Sequence, residues 1–279
     1  MSEHGRLEAL IDQTCSLLLH YHGLGNEVVA DPQGWFVTNP RRPRLGDCNH
    51  LRAPRAGTPH EIEGLLERME QRFAHLRHRE VVCDPHTPPA FEATLVLRGF
   101  VATTEVKFVL SGRMRPAPAP PPGLDIRPVE RDDDWAAVAE LTRCARREAA
   151  GREQSPVGPQ PAGQQVSDGL VEARLARRPA VRTWLAWVDG RAVGVGDALA
   201  GEHGLGLVTG LYTAPDHRRR GVASAVLRHA VAAVRAEGAG GVVLGAAPGG
   251  AARFVHGLGF EPLYVEHVYR REVGAPVGG

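Results

Sequence analysis

Apolar residues recur along the first part of the chain with the spacings that distinguish helices from strands. Two amphipathic helices are predicted, the first from Leu7, Leu10, Ile11 and Leu18 and the second from Ile62, Leu65, Leu66, Met69, Phe73 and Leu76. After them the pattern predicts a strand at 79–85, a short helix at 89–100 and an alternating strand at 100–110. These apolar faces predict a packed sheet with helices.

The pattern from residue 124 onward predicts a strand, two helices, three strands and then alternating helices and strands. The elements lie at 124–129, 132–150, 166–177, 183–188, 191–200, 205–213, about 219–237, 241–247, 250–259 and 260–272. Asp189-Gly190 between two alternating runs is typical of a β-hairpin turn. The order βααβββαβαβ predicts a mixed α/β sheet.

A proline-rich stretch separates the two patterns, with five prolines among the seven residues 116–122. Such a sequence favours an extended, semi-rigid spacer. We therefore expect an α/β domain at 1–115, a linker at 116–123 and a second domain at 124–279. The segment 151–165 has loop composition, and we expect a mobile connection there.

The charge balance narrows the possible functions, because the chain has 33 basic and 32 acidic residues. A formal net charge of +1 argues against a nucleic-acid partner. No stretch approaches the roughly 18 apolar residues that span a bilayer, and the start lacks the pattern of a secretory signal. We therefore expect a cytoplasmic protein without a membrane partner; a homodimer is left open.

The four cysteines are widely spaced, which favours reduced thiols over a disulfide framework. The alternative is a zinc site made from the pairs Cys48/His50 and Cys83/His86. Neither spacing is a familiar zinc motif, so we expect no metal.

The stretch "HRRRGVAS", 217–224, lies where a predicted strand hands over to a helix that we expect to begin about Arg219. The first amides of a helix have no partners within it, so they can hold a phosphate. Gly221 would let the main chain approach a bulky anion, and three arginines add positive charge. The alternative is a solvated basic turn before an ordinary helix.

Two motifs then resemble the GNAT superfamily of acyl-CoA-dependent N-acyltransferases. "RRRGVA", 218–223, resembles the pyrophosphate loop R/Q-x-x-G-x-G/A, and "ARFVHGLGF", 252–260, resembles the second motif, A-x-x-x-Y-x-x-x-G-F. The resemblance covers 124–273. Other anion loops do not fit: the chain lacks a Walker A sequence, and no dinucleotide fingerprint joins a strand to a helix.

The resemblance implies a mostly antiparallel sheet flanked by helices, and acetyl transfer from acetyl-CoA to an amine by direct attack. The acceptor would be a small-molecule amine or a protein amine. Main-chain groups of Leu211, Tyr212 and Thr213 would hold the pantetheine arm and the thioester. The pyrophosphate would lie on the loop formed by Arg218, Arg219, Arg220, Gly221, Val222, Ala223 and Ser224.

The second motif departs from the family where many members carry a tyrosine as acid, because this chain has Val255. His256 is the candidate substitute, although adjacent helix positions point about 100° apart. Asp197 is the candidate general base. Four further candidate bases are Glu202, His203, Glu266 and His267.

The first domain repeats part of this pattern, with a helix ending in Gly99-Phe100 before a strand. It resembles a degenerate GNAT-like half: "HLRAPRAGTPHE", 50–61, replaces the pyrophosphate loop, and Leu95 stands at the tyrosine position. An unrelated α/β domain is the alternative. For the whole protein, the rival of the transferase is a non-catalytic acetyl-CoA-binding regulatory protein.

Overall fold

The computed structural model describes residues 2–152, 164–201 and 204–273. In the first half the elements are α1 Glu3–Gly23, β1 Glu27–Asp31, β2 Gly34–Thr38, β3 His50–Arg52, α2 Pro59–Arg72, β4 His78–Cys83, α3 Pro89–Leu97 and β5 Val101–Leu110. In the second half they are β6 Asp125–Pro128, α4 Asp132–Arg152, α5 Gln164–Ala176, β7 Val181–Val188, β8 Arg191–Ala200, β9 Leu205–Thr213, α6 Val222–Ala236, β10 Gly241–Ala246, α7 Gly250–Gly257 and β11 Glu261–Glu272.

Contacts divide the chain into two compact units. Unit 1 contains the described residues of Met1–Leu17 and Val106–Leu263, and unit 2 contains those of Leu18–Glu105 and Tyr264–Gly279. Strands β5 and β11 each contribute residues to both units. Unit 1 therefore includes the end of β5, and unit 2 includes most of β11.

The sheet of unit 1 has the order β5–β10–β9–β8–β7–β6. Its pairs are antiparallel except β9 and β10, which are parallel and joined through α6. The predicted hairpin is confirmed: Asp189 and Gly190 have φ angles of 49° and 76°, which suits a tight turn between β7 and β8. The mixed, mostly antiparallel α/β sheet is confirmed as well.

Helix α6 packs closely on this sheet because glycines lie beneath it. A Cβ on Gly196 would come within 2.9 Å of Val226, and one on Gly206 within 2.8 Å of Val234. The helix predicted at about 219–237 is confirmed, and its apolar residues that are buried against the sheet are Val222, Val226, Leu227, Ala230 and Val234. This close contact fixes the start of α6 relative to β8 and β9.

The sheet of unit 2 has the order β1–β2–β3–β4–β11, in which β3 and β4 are parallel and joined through α2. The predicted second helix is confirmed, and its apolar residues form the core with Phe91 and Leu95 of α3. Strands β1, β2 and β3 were not predicted. In unit 2, as in unit 1, a strand–helix–strand crossover links parallel neighbours.

Candidate functional site

The turn between β9 and α6 has an unusual backbone. Arg219 has a φ of 59° and Gly221 a φ of 83°, both in the left-handed region. Because these residues cannot continue a right-handed helix, α6 begins at Val222 and not about Arg219 as predicted. A left-handed non-glycine residue such as Arg219 is costly and tends to occur at functional loops.

The first turn of α6 offers unpaired amides. Gly221 is the N-cap and has no side chain that could cap the helix. Its carbonyl oxygen accepts the first hydrogen bond of the helix, from the amide of Ala225 at 3.0 Å. Among the described residues, nothing accepts a hydrogen bond from the amides of Val222, Ala223 and Ser224. Such donors, together with the positive end of the helix dipole, can hold an anion; the assignment of the pyrophosphate to them stays a prediction.

Strand β9 has an open edge beside this turn. Its parallel pairing with β10 covers only Leu205, Gly206 and Leu207, whereas its pairing with β8 continues to Thr213. In the described ladders, the edge of β9 toward β10 is therefore unpaired at Leu211, Tyr212 and Thr213. The main-chain groups there are available to an extended ligand, and their assignment to the pantetheine arm stays a prediction.

A bulge at Gly210 turns β9 before this open edge. The register with β8 shifts between Asp197 opposite Thr209 and Val195 opposite Tyr212. Gly210 has a φ of 62°, and a Cβ there would lie 2.4 Å from Asp197 Oδ2. Only glycine fits this conformation and this close approach.

Asp197 is 2% exposed and lies behind the bulge. Thr183 Oγ1 donates to its Oδ1 at 2.8 Å, and Arg174 Nε donates to its Oδ2 at 2.8 Å. Arg174 also donates to Thr142 Oγ1 at 2.8 Å, which links α4 and α5 to the sheet. The pairing supports a role in fixing the bulge; the general-base assignment stays a prediction.

A polar cluster missed by the sequence analysis joins α4 to the end of β9. Tyr212 donates from its hydroxyl to Glu148 Oε1 at 2.6 Å, and Arg218 donates to both Glu148 oxygens at 2.8 Å. Arg218 Nε also donates to Thr213 O at 3.0 Å. These hydrogen bonds hold the Arg218 guanidinium beside the end of β9, at the first residue of the loop 218–224.

Burial and the hydrogen bond to Glu148 raise the pKa of Tyr212 well above its usual range. The phenol therefore keeps its proton near neutral pH and serves as a donor to Glu148. Glu148 and Tyr212 are 64 residues apart in the sequence, so no local motif signals their contact.

Helix α7 presents its two candidate residues differently. Val255 is 4% exposed and packs in the core of unit 1. The His256 side chain is 53% exposed, and its Nδ1 lies 3.2 Å from Phe260 O and 3.6 Å from Glu261 Oε2. No contact among the described residues joins His256 to Arg218–Ser224, so its assignment as acid also stays a prediction.

Of the other candidate bases, His267 lies in unit 2, with its Nδ1 2.6 Å from Glu92 Oε2. Glu266 is buried there and accepts from Arg52 at 2.7 Å. Glu202, His203 and most of the predicted connection at 151–165 lie outside the described residues.

The helix in the crossover of unit 2, α2, is capped differently from α6. A capping box closes the start of α2: Glu61 Oε2 accepts from the amides of Gly57 at 3.1 Å and Thr58 at 2.8 Å. These hydrogen bonds lower the pKa of Glu61. In the same loop, Arg55 forms a two-point pair with Asp84 at 2.8 Å. The side chains of Thr58 and Glu61 thus cap the start of α2, whereas the start of α6 has no side-chain cap.

The residues of the zinc alternative do not form a metal centre in the described structure, where no group of three or more His, Cys, Asp or Glu side chains comes together. His50 is fully buried, and its Nδ1 lies 2.9 Å from Gly46 O. No described helix is long and apolar enough to cross a membrane.

The open strand edge, the bulge and the uncapped helix start lie together at the parallel crossover of unit 1. Residues 135–260 match the model of the acetyltransferase (GNAT) family. This segment is therefore a GNAT domain, as the two motifs predicted, and the family is one of acyltransferases that use acetyl-CoA.

Solved structures similar to the chain support the fold. A GCN5-related N-acetyltransferase from Kribbella flavida aligns with a TM-score of 0.63 and 21% identity over 95% of this chain and 96% of that one. A conserved protein of unknown function from Staphylococcus epidermidis aligns at 0.66 and 13% identity over 90% and 95%. A tandem GNAT protein from the clavulanic acid biosynthesis pathway aligns at 0.52 and 15% identity over 78% and 71%. No curated protein sequence matches the chain.

Proposed function

We propose that unit 1 is an N-acetyltransferase that moves the acetyl group of acetyl-CoA to a primary amine. One observation carries the proposal: the free amides of Val222, Ala223 and Ser224 lie next to the open edge of β9. A diphosphate on these amides would leave the pantetheine arm free to follow the strand. The free N–H groups at the start of α6 have the polarity that binds a diphosphate.

The chemistry requires mainly positioning. The amine nitrogen attacks the thioester carbonyl carbon, a C–N bond forms, and the carbonyl oxygen becomes an oxyanion that a main-chain N–H of the open edge can stabilise. The C–S bond then breaks and the sulfur leaves as a thiolate. The proton lost by the amine passes to a base or to water.

Thiols ionise near neutral pH, so the thiolate can leave without a protein acid. This property is compatible with the buried Val255 at the position where many family members have tyrosine. His256 or water can protonate the departing sulfur.

Unit 2 does not take part in cofactor binding in this proposal. A capping box formed by Thr58 and Glu61 already closes the start of α2, and Asp84 neutralises Arg55. A diphosphate would have to displace a covalently tethered carboxylate and face its charge.

The buried Val255 also favours a second candidate function, a regulatory protein that binds acetyl-CoA without turnover. A coupled assay of free CoA release with a panel of small amines and lysine peptides distinguishes the two. Release that depends on an amine supports the transferase. Acetyl-CoA binding by calorimetry without release for any acceptor supports the regulator, and the absence of binding contradicts both.

A further inference from the structure

The side chain of Tyr212 lies on the face of unit 1's sheet that α4 covers. Its ring packs against a core cluster that includes Leu141 of α4 and Val195 of β8. The preceding residue, Leu211, packs against Val222 and its neighbours at the start of α6. Because successive side chains of a strand point to opposite faces, Tyr212 points away from the loop 218–224 while its main chain belongs to the open edge 211–213.

Two side chains hold the phenol of Tyr212 in one orientation. The hydroxyl donates to Glu148 Oε1 at 2.6 Å, and Arg218 donates to both oxygens of that carboxylate at 2.8 Å, so the carboxylate cannot rotate freely. The Arg218 guanidinium carbon also lies 5.6 Å from the centroid of the Tyr212 ring. The hydroxyl oxygen is therefore preorganised beside the open edge.

The direction of this hydrogen bond decides what the hydroxyl can offer to a ligand. A phenol has one hydrogen, and Tyr212 uses it for Glu148. In the described structure the oxygen accepts no hydrogen bond, and the side chain is only half-buried, so its lone pairs are accessible. An oxygen that can only accept selects a group that donates, and an amine N–H is such a donor.

The charges around the phenol suit a neutral amine. The carboxylate of Glu148 is balanced by the guanidinium of Arg218, which it contacts directly. The ion pair therefore adds no net charge that would favour the ammonium form of an acceptor, which has no lone pair for the attack.

We propose that the Tyr212 hydroxyl is a catalytic group that accepts a hydrogen bond from the attacking amine and directs the nitrogen lone pair toward the thioester carbon. The inference rests on the proposed function, because the thioester would lie on the edge 211–213. A primary amine has two N–H bonds, so one can bind the phenol while the lone pair attacks. No bond to Tyr212 forms or breaks, and the proton lost by the amine passes to a base or to water.

Tyr212→Phe tests the proposal, because it keeps the ring and removes only the hydroxyl. The acceptor is the most active of the small amines and lysine peptides in the CoA-release assay. We expect kcat/KM for the amine to fall about tenfold, as the loss of one positioning hydrogen bond implies. The Kd of acetyl-CoA by calorimetry should stay within about twofold of the wild-type value, since Arg218 keeps both bonds to Glu148.

Tyr269→Phe is the matched control, because Tyr269 also donates from its hydroxyl to a glutamate, Glu92 Oε2 at 2.9 Å, but lies in unit 2. It should leave both values unchanged. A purely structural role of Tyr212 would give the reverse pattern, with weaker acetyl-CoA binding and an unchanged kcat/KM for the amine at saturating acetyl-CoA.

That reverse pattern, or a Tyr212→Phe variant with both wild-type values, would overturn the role of Tyr212 and leave the proposed function standing. A wild-type protein that releases no CoA with any amine would overturn the proposed function and the role of Tyr212 with it.

Discussion

The hydroxyl of Tyr212 donates a 2.6 Å hydrogen bond to Glu148, and the same carboxylate holds Arg218 through two bonds of 2.8 Å. Helix α4, which carries Glu148, is thereby tied to Arg218, the first residue of the loop 218–224. Because Arg218 also binds Thr213 O, the three side chains set the position of the loop relative to the strand edge.

Glu148→Gln should weaken acetyl-CoA binding about tenfold, because a neutral amide cannot hold the guanidinium through two charge-assisted bonds. Calorimetry measures the effect. Glu140→Gln is the control, since Glu140 pairs with Arg143 and Arg147 on the exposed side of the same helix, where ion pairs contribute little. Equal affinities for the two variants would exclude this role of Glu148.

Gly221→Glu should abolish acetyl-CoA binding while the protein remains folded. The new carboxylate would repel the diphosphate, and the left-handed backbone adds a strain of about 1–2 kcal/mol. Gly238→Glu is the control for the added charge and for the left-handed backbone, because Gly238 has a φ of 98° just beyond the other end of α6; a Cβ on Gly221 would also contact Ala119 O at 2.8 Å, whereas one on Gly238 would have no atom within 4 Å. That variant should bind normally. Unchanged affinity of Gly221→Glu would refute the assignment of the loop.

Asp197→Asn separates the two roles considered for this carboxylate. It leaves the partly buried Arg174 beside a neutral group, so we expect unfolding in urea to show a loss of about 3 kcal/mol. Thr183→Val removes one neutral hydrogen bond and should cost about 1 kcal/mol. We expect the residual Asp197→Asn activity to keep the acid limb of its pH profile. Loss of that limb would identify Asp197 as the base.

The stability of unit 2 should depend on His50 at acid pH. Burial, with Arg52 nearby, lowers the pKa of His50 from 6.5 to about 4. The neutral imidazole therefore stabilises the fold above pH 6.5, and this contribution is lost as the pH falls toward 4, by an amount on the order of 3 kcal/mol.

Denaturant titrations between pH 7 and pH 4 measure this loss. His50→Phe should show a shallower decrease than the wild-type protein, whereas His60→Gln, at an exposed position, should follow the wild-type curve. Glu80 acts in the opposite direction, since burial raises its pKa to about 7. Parallel curves for the wild-type protein and His50→Phe would rule out His50 as the source.

Most of the elements of the GNAT domain could be predicted from the sequence, because their apolar periodicity is local. The Asp189-Gly190 turn and the apolar side of α6 are examples. The start of α6 was placed too early, because sequence alone does not reveal that Arg219 adopts a left-handed conformation. Strand β3 has three residues, too few for an alternating pattern to emerge.

The candidate site was predictable only where one continuous motif carries it. The loop around Gly221 is such a motif. The contact of Glu148 with Tyr212 and the contact of Arg228 with Arg115 O join residues that are far apart in the sequence, and only the fold brings them together. The strands that lie next to β5 and β11 could not be predicted for the same reason, since an alternating pattern predicts a strand but not its neighbour in the sheet.

The side chain of Glu61 gives unit 2 a built-in substitute for a ligand anion. Because the start of α2 is already capped by side chains of its own chain, we expect it not to bind an added nucleotide. If unit 1 binds acetyl-CoA as proposed, calorimetry should therefore show saturation at one acetyl-CoA per polypeptide.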